Sequence, residues 1–84
     1  MGSLFMISFI YGGLTFYANV IAYKNSQTVY HVSIVISKNE IPRRLTLIER
    51  DGQLVLSIYS PRASAELVTA ISEKILNHEK SVVA

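Results

Sequence analysis

The chain has 84 residues, 50% of them hydrophobic and 17% charged, with eight basic against six acidic residues and a formal net charge of +2. It contains no cysteine, which excludes a thiol nucleophile, a disulfide framework and any Cys-ligated zinc or iron–sulfur site, and which fits a reducing, cytoplasmic setting. A bias of +2 is too weak to specify nucleic acid by itself, and 84 residues make one small α+β domain with more apolar surface than its core can hide.

The first element is the uncharged stretch Leu4 to Tyr23, LFMISFIYGGLTFYANVIAY. About 20 mostly apolar residues are long enough to cross a bilayer as a helix. Gly12-Gly13, Asn19 and the many β-branched and aromatic residues instead favour two strands, near 4–11 and 14–23, joined by a two-residue turn. That turn pairs Tyr11 with Leu14, Phe9 with Phe16, Ile7 with Ala18 and Phe5 with Val20, and this face of the hairpin is wholly apolar. No basic residue precedes the run, so it does not read as a signal peptide. A single-pass anchor at residues 4–23 is kept only as a second alternative.

The polar turn Lys24-Asn25-Ser26-Gln27 leads into a third strand near 28–37, with Tyr30, Val32, Ile34 and Ile36 on the core side. Aligning them with Phe16, Ala18 and Val20 needs an odd-length loop or a bulge, because a one-residue slip would turn every side chain over. The connection Lys38 to Pro42 precedes strands near 44–50 and 53–59, which Asp51-Gly52 joins as a hairpin. Its register pairs Leu47 with Leu56, Leu45 with Ile58 and Glu49 with Leu54 on the core side, and Ile48 with Val55, Thr46 with Ser57 and Arg44 with Tyr59 on the other. Glu49, near the strand end, reaches Lys74 or solvent at the margin.

Ser60-Pro61 reads as a helix start, the serine as cap and the proline at the first helical position. The helix runs near 61–79, with Ser64, Leu67, Val68, Ile71, Ile75 and His78 along one stripe. The expected architecture is a five-stranded antiparallel meander with one C-terminal helix packed on one face.

One helix covers one side of the sheet, so the other side is the candidate interface or ligand face: Tyr17, Ile21, His31, Val35, Arg44, Ile48, Val55 and Tyr59, beside Met6, Ile10 and Tyr23. Aromatic residues, Met and Arg with few acids are the composition of a protein interface, which points to a non-enzymatic module that forms a homodimer. The alternative is a single-stranded nucleic-acid platform, with tyrosines stacking on bases while Arg44, Arg50 and His31 approach the backbone.

Catalytic, metal and cofactor sites are not indicated. His31 has no acidic or nucleophilic partner placed beside it by spacing, and His78 reads as a cap at the helix end. Gly12, Gly13 and Gly52 fall in hairpin turns that do not lead into a helix, so no phosphate-cradling loop is present.

Overall fold

Two pairs of turn residues set the register of most of the sheet. Gly12 and Gly13 have φ of 60° and 77°, and Asp51 and Gly52 have φ of 55° and 79°. These are the positive values of a type I′ turn, whose twist matches that of the flanking strands. The computed structural model describes residues 2–35, 41–57 and 63–83. In these, β1 (Gly2–Tyr11), β2 (Leu14–Lys24), β3 (Thr28–Ile34), β4 (Arg44–Arg50) and β5 (Gln53–Leu56) are followed by α1 (Ala65–Val83). The strands form one antiparallel sheet in the order β1-β2-β3-β4-β5.

The first hairpin pairs Tyr11 with Leu14, Phe9 with Phe16, Ile7 with Ala18 and Phe5 with Val20, as the turn demands. Lys24 pairs with Thr28 across the three-residue loop 25–27, and this odd length keeps Tyr30, Val32 and Ile34 on the same side as Ala18, Val20 and Ala22. The second hairpin pairs Leu47 with Leu56, Ile48 with Val55 and Glu49 with Leu54. Beyond it the Ser57 N–H donates to the Thr46 carbonyl at 2.9 Å. The expected partners Ile58 and Tyr59 lie outside the described residues, as do Ile36 and Ser37 of the expected third strand.

Three expectations are corrected. Strand β3 ends at Ile34, and Val35 already lies in a bend, its N–H donating to the Tyr17 carbonyl at 2.9 Å. Strand β5 ends at Leu56 and Ser57 lies in a bend, whereas Ile58 and Tyr59 of the expected strand lie outside the described residues. Helix α1 starts at Ala65, whereas Ser60-Pro61 lie outside the described residues. Its cap is Ser64, whose Oγ accepts the Leu67 N–H at 3.2 Å and satisfies one of the free donors of the first turn. The Ser64 hydroxyl also lies 3.0 Å from the Tyr11 hydroxyl, which ties the helix start to the first hairpin.

The Cα trace of α1 comes within 8 Å of β1 and β5 and of no strand between them, so the sheet curls around the helix and is concave toward it. Within that curve Leu67, Ile71 and Ile75 are fully buried against Phe9, Ala18, Val20, Val32 and Leu47. Ile41, from the connection after β3, joins this core although its neighbours in sequence are polar or proline. His78 does not cap the helix, which continues past it to Val83. It stacks instead on Phe5 at 3.8 Å between ring centroids with an interplanar angle of 9°. Beyond it Glu79 is paired with Lys24 of β2, an ion pair worth at most about 1 kcal/mol because the lysine is half exposed.

Candidate functional site

Alternation along each strand sends every second residue to the convex side of the sheet, away from α1. Leu4, Met6, Ser8 and Ile10 of β1 share that side with Tyr17, Asn19, Ile21 and Tyr23 of β2, His31 and Ser33 of β3, and Arg44, Thr46 and Ile48 of β4. The sequence treats this face as one surface. In the structure it divides in two.

The β1–β2 half is apolar and exposed. Leu4 is 70% exposed, Met6 59% and Ile10 68%, three of the four same-side positions from 4 to 10 of one strand, which is unusual for large apolar side chains. Tyr17, Ile21 and Tyr23 continue the patch on β2, and Val35 continues it past the end of β3. No acidic or basic residue lies in β1, and in β2 the single charged side chain is Lys24 at the far end. The β3–β4 half is more polar. His31, Ser33 and Arg44 are exposed there, while Thr46, Ile48 and Val55 are half-buried. Tyr59 lies outside the described residues.

His31 is the one histidine on this face among the described residues. Its Nδ1 is 3.3 Å from Thr46 Oγ1 on the neighbouring strand, and the Tyr23 ring meets it edge-on at 5.3 Å. A hydroxyl beside an imidazole is the start of a nucleophile–base pair, but catalysis also needs a group to orient the base and donors for a developing oxyanion. The cross-strand neighbours of His31 are Ile21 and Thr46, which supply neither. The contact is that of an exposed cross-strand polar pair. Glu49 is exposed at the sheet margin, and Arg43 and Arg44 are both exposed at the start of β4.

Among the described residues two shallow grooves lie along α1, one over Ala65, Glu66, Thr69, Ala70 and Glu73 on the helix itself, the other between α1 and β5. Ser72 borders the second beside Leu54, Val68 and Leu76. It is buried, and its Oγ has no hydrogen-bond partner among the described residues. The sequence offered no signal for this, because serine on a helix ordinarily points to solvent. A buried hydroxyl without a partner is destabilising, and serine is also a poorer helix former than alanine. Ser72→Ala is therefore expected to stabilise the chain by about 1 kcal/mol and to raise Tm by roughly 4–8 °C. A thermal melt that is unchanged or lowered would show that the hydroxyl has a favourable contact.

Among the described residues no group of three His, Asp or Glu side chains is arranged to hold a metal ion. No helix among them is long and apolar enough to cross a membrane, and the uncharged opening that prompted that alternative is the β1–β2 hairpin. No family model matches the chain, and no curated protein and no solved structure matches it.

Proposed function

We propose that this chain is a non-enzymatic interaction module that self-associates through the open face of its sheet. The observation that carries the reading is the exposed, nearly uncharged apolar patch of Leu4, Met6, Ile10, Tyr17, Ile21 and Val35. Its composition is that of an interface core, where charged residues are depleted and aromatic residues and Met are enriched. Closed twofold dimers are the commonest way for a soluble chain to cover such a patch. A base-stacking platform would need cations distributed among its tyrosines, whereas Arg44 lies on the polar half, away from Tyr17.

The test is the solution mass by light scattering over a concentration series, for the parent chain and for Tyr17→Asp. Tyr17 is half exposed in the single chain, so an aspartate is tolerated there, but in an interface it leaves an unpaired carboxylate away from water. The parent is expected to be a dimer, and Tyr17→Asp to weaken it by about a hundredfold or more, which corresponds to about 3 kcal/mol. Glu73→Lys, an exposed position of α1 on the other side of the sheet from the patch, is expected to leave the mass unchanged. A parent that stays monomeric, or that gains mass only with a single-stranded oligonucleotide, overturns the reading.

A further inference from the structure

Among the described residues the order of the sheet leaves β1 as a free edge, and its length and composition are unlike those of the other edge. Strand β5 has four residues, while β1 has ten. Natural sheets guard long edges with charged side chains, prolines or bulges, because an exposed row of backbone donors and acceptors is a template for another strand. Strand β1 carries none of these guards, and α1, which packs on its core side where His78 stacks on Phe5, leaves Leu4, Met6, Ser8 and Ile10 exposed. Its residues Gly2–Tyr11 include no charge and no proline, and they pair one-to-one with β2 without a bulge.

The register fixes which backbone groups face outward. In a two-residue hairpin the residues flanking the turn, here Tyr11 and Leu14, exchange both ladder bonds, and the bonded pairs then recur at every second residue. The inward-bonding residues of β1 are therefore Ser3, Phe5, Ile7, Phe9 and Tyr11. Those with N–H and C=O directed to the open edge are Gly2, Leu4, Met6, Ser8 and Ile10. The bond from the Val35 N–H to the Tyr17 carbonyl agrees with this phase: Tyr17 lies opposite Ser8, and its backbone turns away from β1 toward the far side of β2. The residues with outward backbone groups are also those whose side chains stand on the open face, so the apolar patch runs without interruption to the unpaired edge.

We infer that the β1 edge is the seam of the self-association, where a second copy of the chain adds its own β1 antiparallel to form one continuous ten-stranded sheet across a twofold axis. The inference rests on the self-association proposed above and specifies its geometry. The occupant is a second copy because the edge is self-complementary. Antiparallel pairing sets each even-numbered residue of β1 against an even-numbered residue of the partner, and no like charges meet because the strand has none. Five outward residues from each copy form up to five narrow pairs of two bonds each, which reaches the roughly ten hydrogen bonds of a specific interface. Leu4, Met6 and Ile10 of both copies then line the seam on the open face. Ser8 is the small residue between Tyr17 and the seam, so the Tyr17 ring can lean over it toward the partner strand. That makes Tyr17 part of the same contact.

Hydrogen exchange followed residue by residue, at concentrations below and above the mass transition, tests this on the unaltered chain. Below the transition the amides of Met6 and Ser8 are expected to exchange freely, while those of Ile7 and Phe9 are protected by β2. Above it, Met6 and Ser8 are expected to slow by about a hundredfold or more as they enter a ladder that opens only with the dimer. A dimer in which Met6 and Ser8 still exchange freely overturns edge pairing and leaves association by stacked faces. A mass that keeps growing with concentration overturns the closed twofold, and a chain that is monomeric throughout overturns both the seam and the self-association on which it rests. Ser8→Pro provides an independent check. It removes an N–H that β2 does not use, at an edge position where proline is tolerated, so it is expected to abolish the dimer while leaving the monomer folded. A folded Ser8→Pro dimer of parent affinity overturns the seam.

Discussion

Replacing Phe9 by alanine is expected to lower the stability of the chain by about 3–5 kcal/mol, the usual range for removing a fully buried aromatic ring. Phe9 is 1% exposed, lies opposite Phe16 with ring centroids 5.7 Å apart, and packs in the cluster that includes Leu67 and Ile71. A chain of this length has a total stability of about 4–12 kcal/mol, so the loss is a large part of it. The neighbouring change Ile10→Ala serves as the control. Ile10 is the next residue along the same strand and points to the opposite face, so its truncation is expected to change stability by less than about 0.5 kcal/mol. Both values would come from urea denaturation at concentrations low enough for the chain to be monomeric. Similar losses at the two positions would mean that β1 is out of register by one residue, since such a slip exchanges the two faces.

The contrast between Phe9 and Ile10 is legible in the sequence because local chemistry decides it. Gly12-Gly13 and Asp51-Gly52 admit only a short list of turns, and each turn fixes the pairing of the strands around it. The odd loop between β2 and β3 followed from the same reasoning, since Tyr30, Val32 and Ile34 can face the core only in that phase. Features that depend on distant parts of the chain were not legible. The cap at Ser64 is reinforced by the Tyr11 hydroxyl, 53 residues away in sequence, whereas Ser60-Pro61 offered a stronger local signal. Ile41 is buried in the core cluster, although it sits among polar residues and beside a proline that read as a connection. The open face was predicted as one surface because strand alternation does not report curvature. The curl around α1, which leaves Leu4, Met6 and Ile10 exposed along the free edge, becomes visible only once the helix is seen between β1 and β5.

The second large effect concerns alkaline pH and rests on Tyr30. Its ring is buried between Ala22 and Leu47, its partners on the adjacent strands, and only 3% of the residue is exposed. Burial first, then the negative charges of Glu79 and Glu49, push its phenol up from the ordinary 10.0 to about 12. The folded chain therefore holds Tyr30 neutral over a range in which the unfolded chain has already released the proton. Below pH 10 both states are protonated and the stabilisation is fully present. As pH rises from about 10 to about 12 the unfolded state binds fewer protons than the folded one, so stability falls, and the fall ends once both are ionised. A shift of this size corresponds to roughly 2–3 kcal/mol. In Tyr30→Phe that component of the alkaline loss should vanish, while every contribution common to both chains cancels in the difference. Urea midpoints for parent and Tyr30→Phe, measured between pH 7 and pH 12, are expected to draw together or cross as pH rises. Parallel decline of the two curves would place the alkaline sensitivity elsewhere and show that the Tyr30 phenol ionises in the folded chain as readily as in water.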